Sequence, residues 1–229
     1  PKGYAGFGPA NMRDPRNPNA QKHRELAYKL FDTFLKLKLN PPAGEGFNLK
    51  TGEVAFALND HQVYLRSFGD DLKAMLKAVL REGPDGYHYK EYVAWVTSFT
   101  DWLLTQQDAE GGFPRIWKAK TGAISDKSSI SSYNVIPLLI LESKVSNNKK
   151  YLEAAKKAAE LCWKNGQEKG VFVGGTIDNP NIIDKEAGSL SLEAYLMLFE
   201  ETKDAKWLDR AKMAANYAET WIYIWNVPM

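Results

Sequence analysis

The sequence predicts an all-α protein built from helical hairpins, and three observations carry that prediction. Apolar residues recur at helical spacing in seven separate segments. The joints between segments alternate in length: those at 82–87, 144–148 and 202–204 are short, and those at 40–66, 108–128 and 166–186 run to about twenty residues or more. The chain also repeats itself, since Tyr151-Leu152-x-x-Ala155-Lys156-x-Ala158-Ala159 lies over Trp207-Leu208-x-x-Ala211-Lys212-x-Ala214-Ala215 at a spacing of 56 residues. An apolar helix ends ahead of each copy, at Glu142 and at Glu200, a spacing of 58 that implies turns differing by two residues.

Residues 1–19 carry four prolines and three glycines and read as an irregular arm, leaving 20–229 as the helical domain. The first helix spans about 19–39, with Leu26, Leu30, Phe31, Phe34 and Leu37 on one face, and Asn40-Pro41-Pro42 ends it. A long connection follows, with a short strand expected at 54–58 and the polar cluster Asn59-Asp60-His61-Gln62. The second helix spans about 68–81, with Asp70 and Asp71 in its first turn, where the helix dipole favours negative charge. The third, about 89–107, is Trp-rich and runs into Gln107-x-x-x-x-Gly112-Phe113-Pro114. The fourth, about 129–143, is apolar nearly all round, and Pro137 must kink it or fix its start. The fifth spans about 149–165, and its ending Gln167-x-x-Gly170-x-Phe172 echoes that of the third. The sixth, about 185–201, is again strongly apolar, and the seventh spans about 205–225.

In an up-down array every second joint lies on the same face, so all the long loops share one end. Helices four and six, apolar around most of their circumference, belong to an inner layer; three, five and seven, each with a charged side, belong to an outer one. The inner helices start at the long-loop end and aim their positive dipole ends at whatever binds there.

Composition narrows the function. A net charge of +2 over 229 residues, with no basic run, argues against nucleic acid as partner. No apolar run reaches the roughly 18 residues of a membrane span. The single Cys162 excludes an internal disulfide and reads as structural. Localisation stays open between a secreted or periplasmic protein with its signal removed and a cytoplasmic one. No phosphate loop, G-x-S-x-G elbow or metal-spaced His pair is present.

Two stretches carry a family resemblance. Trp102-Leu103-Leu104-x-x-Gln107-x-x-x-x-Gly112-Phe113-Pro114 is similar to the loop of α/α-toroid pectate lyases, and more loosely to the aromatic-glycine repeats of terpene cyclases. Ser191-Leu192-Glu193-Ala194-Tyr195-x-x-Leu198-x-x-x-Thr202-x-Asp204-x-Lys206-Trp207-Leu208 resembles hairpins of six-hairpin glycosidases. Over about residues 90–225 the chain thus resembles the (α/α) toroid of glycoside hydrolases and polysaccharide lyases. The resemblance implies an enzyme acting on a polysaccharide or oligosaccharide by hydrolysis or β-elimination, without a cofactor. The fold expected is a complete or partial toroid. A closed one needs about twelve helices, so seven imply either a truncated or partial toroid or one domain of a longer chain, with further domains or a second chain to complete it.

Carboxylate chemistry on a sugar needs acids facing one cleft. The best source is Ile182-Ile183-Asp184-Lys185-Glu186-Ala187-Gly188, where Asp184 and Glu186 open an inner helix; the other reading of Asp184 is an N-cap. Asp60 and His61 are further acid/base candidates, against a plain turn role for Asn59 and Asp60. Phe113, Trp117, Tyr133 and Phe172 flank the long-loop end as candidate stacking surfaces for sugar rings, with Asp178 a polar neighbour for hydroxyls and Arg115 suited to a uronate carboxylate. The oxygen-rich run from Asp178 to Asp184 is a candidate Ca²⁺ loop, although it lacks EF-hand spacing and reads more readily as a solvated turn. Asp126 reads as a capping residue before Ser128. The rival of the enzyme reading is a non-catalytic helical module that binds glycan or packs on a partner domain.

Overall fold

The computed structural model describes residues 18–37, 40–42, 62–177 and 179–222. Seven α-helices are present among them: α1 (Ala20–Leu37), α2 (Leu65–Glu82), α3 (Tyr89–Thr105), α4 (Ile136–Ser146), α5 (Lys149–Lys164), α6 (Lys185–Thr202) and α7 (Ala205–Glu219). The protein is all-α in class. The arm over 1–17 and the strand expected at 54–58 lie outside the described residues.

The inner layer is α2, α4 and α6. Helix α4 is the axis of the packing, buried at every position from Ile136 to Ser143. It lies between α2 and α6, with α3 and α5 against its other sides. Burying Leu138, Leu139 and Ile140 completely contributes about 1.5–3 kcal/mol for each side chain. The fourth helix starts later than its apolar pattern suggests. Pro137 sits in its first turn, where a missing N–H costs nothing, and the residues before it form a 3-10 turn over Ser132–Val135. Helix α2 starts earlier than expected, at Leu65, so Asp70 lies beyond the first turn and pairs with Lys73 at 3.1 Å.

The outer helices α5 and α7 turn their small residues inward. Tyr151 and Trp207, Ala155 and Ala211, Ala158 and Ala214 are all buried in corresponding positions. The correspondence extends through the turns that precede them. Asn147 and Lys203 both adopt the left-handed conformation, with φ of 50° and 59°. Asn148 and Asp204 both cap, accepting from the backbone N–H of Lys150 and Lys206 at 3.1 Å. The Ser146 and Thr202 hydroxyls close the inner helices onto the carbonyls of Glu142 and Leu198, at 2.6 and 2.7 Å. The two turns are therefore equal in length, which corrects the spacing of 58. Glu142 corresponds to Leu198, not to Glu200.

The long loops hold an unexpected three-stranded antiparallel sheet, in the order β1 (Gln62–Tyr64), β2 (Ile116–Lys118), β3 (Ile124–Asp126). Three-residue strands are too short for a period of two to be read from sequence. The sheet ties the start of α2 to the loop after α3, and Leu65 N–H extends the tie by donating to the Arg115 carbonyl at 2.8 Å.

Candidate functional site

The starts of the three inner helices meet at the long-loop end, and the loop before α6 is shaped to cover them. Gly174 has a φ of +78°, a conformation that an L side chain adopts only under strain. Its N–H donates to the Ile182 carbonyl at 3.3 Å, and Val173 bridges to Ile183. The Tyr133 hydroxyl, on the 3-10 turn before α4, donates to the Val173 carbonyl at 2.8 Å. Asp184 holds the other side of the loop: its carboxylate accepts from Gly175 N–H at 2.9 Å and from Ala187 N–H at 2.8 Å. A side chain on residue 175 would bring Cβ to 2.3 Å from Ala187 N and Asp184 Oδ1, so only glycine fits there.

Between these segments lies a narrow, half-open cleft. Tyr64, Leu65 and Arg66 at the start of α2, Arg115 ahead of β2, Ser131 and Asn134 ahead of α4, and the 174–177 strip before α6 line it. Its two cations are already matched. Arg66 pairs with Glu186 across the mouth of the arc, donates to the Gly175 carbonyl, and lies 3.8 Å from Asp70. Arg115 pairs with Asp126 at 3.0 Å, donates to the Ile177 carbonyl, and stands 5.6 Å over the Tyr64 ring.

Two polar side chains in the cleft are not matched. Asn134 is 4% exposed and Ser131 3% exposed. Among the described residues neither polar atom of the Asn134 amide has a hydrogen-bond partner, nor has Ser131 Oγ. A buried polar group left so costs about 1–3 kcal/mol, and native folds keep few of them. An amide and a hydroxyl, each able to donate and accept, thus line a cleft with hydrogen-bonding capacity to spare.

The residues singled out from sequence fare unequally. Asp184 is an N-cap whose two oxygens are taken by backbone amides, and it is 7% exposed. Asn179 Oδ1 accepts from Asn181 N–H as in an ordinary turn. Among the described residues no group of three or more His, Cys, Asp or Glu could hold a metal ion. Glu186 stands differently: its side chain is 38% exposed and reaches Arg66 on the cleft wall.

The aromatics are core rather than platforms. Phe113, Trp117 and Phe172 are completely buried and Tyr133 nearly so. Trp117 packs edge-on to Trp102 at 5.3 Å, and Phe172 stacks on Tyr217 at 4.6 Å. The Tyr133 phenol is pushed well above its ordinary pKa by burial, so it serves as a fixed neutral donor to the loop. Arg115 reaches the cleft, but its guanidinium is committed to Asp126 and the loop backbone. Asp60, His61 and Asp178 lie outside the described residues.

Arg66, Ser131 and Asn134 escaped the sequence reading. Arg66 left no signal, because the sequence reading starts this helix at about 68 and leaves Arg66 in the connection before it. Asn134 left one, a polar side chain in the run Ser131-Ser132-Tyr133-Asn134 directly ahead of an unbroken apolar helix.

No protein-family model matches the chain, and no curated protein does. Among solved structures, one of a D-mannose isomerase is similar, with a TM-score of 0.56 at 16% identity. The match covers 89% of this chain and 52% of that one, so the chain spans about half the length of the structure it resembles. A likeness at this identity is one of fold, and the fold is an arc of helical hairpins of the α/α toroid type.

Proposed function

We propose that this arc belongs to a carbohydrate-processing enzyme that binds sugar in the cleft at the starts of its inner helices. One observation carries the reading: the buried, unmatched amide of Asn134 beside the unmatched hydroxyl of Ser131. Sugar hydroxyls each donate and accept, and an amide with a neighbouring hydroxyl complements such a pair of groups. The fold adds support, since the structure it resembles is of a protein named for a reaction on a sugar.

Glu186 is the proton carrier of this proposal. Hydrolysis, β-elimination and isomerisation of a sugar all need a group that gives or takes a proton beside the ring. Glu186 is accessible, and its Arg66 partner holds it against the cleft wall. Asp184 then acts as a positioning residue: it fixes Gly175, whose carbonyl holds Arg66, which in turn holds Glu186. Hydrolysis by a pair of carboxylates requires a second acid, a part that Asp60, the remainder of a longer chain or a partner would fill. The competing reading, a binding module without catalysis, gains from the capping role of Asp184.

The test is a panel of neutral and acidic oligosaccharides and monosaccharides. It is assayed for new reducing ends, for unsaturated uronate absorbance and for aldose–ketose conversion, alongside Glu186→Gln. Turnover abolished in a folded Glu186→Gln that still binds sugar supports the enzyme. Binding without turnover in the wild type supports the module, and unchanged turnover in Glu186→Gln removes this residue from the chemistry.

A further inference from the structure

We infer that the cleft selects an uncharged sugar ring over a uronate or a sugar phosphate. The inference rests on the sugar-binding reading above and adds the charge of the ligand. An arginine in a sugar site suggests an acidic ligand at first sight, and two arginines line this cleft. Their partners reverse that expectation. Arg66 faces Glu186 with Asp70 beside it, and Arg115 faces Asp126, so each guanidinium meets a carboxylate at close range. An incoming carboxylate would displace Glu186 or Asp126, or sit beside one of them and be repelled.

The dipole of α6 offers an anion no better place. The start of α6 is already filled by the Asp184 carboxylate on Ala187 N–H, so its positive end is answered from within the chain. A further cation on α2, Lys73, sits between Asp70 at 3.1 Å and Glu193 at 3.0 Å. What the cleft leaves unanswered is neutral: the Asn134 amide and the Ser131 hydroxyl. These two groups recognise hydroxyls, and the Tyr64 ring on the same wall is partly covered by Arg115.

The experiment is a comparison of affinities on the wild-type chain, so that it does not depend on a variant that fails to fold. D-mannose, D-glucose and D-galactose are titrated by calorimetry or by ¹⁵N-NMR against D-glucuronate, D-galacturonate and D-mannose 6-phosphate, at low and at moderate salt. The expected result is that at least one neutral sugar binds about tenfold or more tightly than every acidic one. Two variants follow. Ser131→Ala weakens the neutral sugar severalfold. Asp126→Asn, which frees Arg115 while keeping the shape of its partner, narrows or inverts the preference by raising affinity for the uronates. A wild-type preference for a uronate or phosphate overturns the inference and leaves the sugar-binding reading standing. Binding of no sugar of either kind overturns both.

Discussion

Arg66, in the first turn of α2, and Glu186, in the first turn of α6, join the starts of two inner helices across 120 residues of sequence. Between them stands α4, so the pair closes the arc of inner helices over its axis. The bond also sets the cleft, because Arg66 lines it and carries the Gly175 carbonyl as a second partner.

The two halves of the pair are expected to differ in what their loss does. Both side chains are partly exposed, so the ion pair alone contributes only about 0.2–1 kcal/mol. Arg66→Ala also strips the donor from the Gly175 carbonyl, and its cost rises to about 1–2 kcal/mol. Glu186→Gln keeps an acceptor for Arg66 and costs under about 1 kcal/mol, while sugar turnover falls by a hundredfold or more, the usual scale for a lost proton carrier. Urea melts with matched kinetics separate these effects. Equal and large destabilisation by both changes would mark Glu186 as a strut.

Asp184 carries the opposite expectation. Alanine there removes a cap from α6, about 0.5–2 kcal/mol, and leaves a buried Gly175 N–H unanswered, about 1–3 kcal/mol more. Asparagine keeps the acceptor toward Ala187 but turns an amide N–H toward that of Gly175, so it recovers only part of the loss. Once temperature is lowered to restore folding, activity in both variants should fall only in part, through the looser hold on Arg66 and Glu186. A folded Asp184→Asn as inactive as Glu186→Gln would overturn the positioning role and return this residue to the chemistry.

The helices were legible because their signal is an average over many residues. Long periodic segments locate α5, α6 and α7 closely at their starts, where Asn148, Asp184 and Asp204 each cap. The sheet was not legible, because Ile116–Lys118 pairs with Gln62–Tyr64 and with Ile124–Asp126, and no local pattern announces such short strands. The site was half legible. An acid at a helix start looks the same whether it caps or catalyses, and only the donors around Asp184 distinguish the two. The rings of Phe113, Trp117 and Phe172 were placed on the right loops, but composition says nothing about which way a ring faces. Asn134 is marked in sequence only by its place ahead of α4, and its unmatched amide is what assigns it to the cleft.

Cys162 should be inert in the native protein. It lies 4% exposed on the inward face of α5, and burial pushes its thiol pKa up to about 12. At pH 8 the thiolate fraction is then about one in ten thousand, and the thiolate is the nucleophile. A thiol reagent at pH 8 should label nothing over hours in buffer and one site per chain within minutes in denaturant. Rapid native labelling would mean that α5 opens from the inner layer far more readily than its packing suggests.

The last expectation concerns Glu142, which sits in α4 where the corresponding position of α6 holds Leu198. It is completely buried, and Thr97 donates its hydroxyl to Oε1 at 2.6 Å. Among the described residues Oε2 has no partner. Burial raises the pKa of this acid above its ordinary 4.5; the Thr97 hydrogen bond works against the rise, and the nearby charge of Asp101 adds to it. The folded chain therefore binds the Glu142 proton more tightly than the unfolded chain does. Below about pH 4.5 both states hold the proton and the residue costs nothing in charge. As pH rises past that value the unfolded state ionises first, and stability is lost at up to about 1.4 kcal/mol per pH unit until the folded state ionises too. Glu142→Gln cannot ionise, so its stability should match the wild type at low pH and exceed it increasingly as pH climbs. Urea midpoints taken at half-unit steps from pH 4 to pH 8 measure the gap. Curves that stay parallel across that range would show that Glu142 is already ionised in the fold, with its charge answered inside the α3–α4–α5 packing.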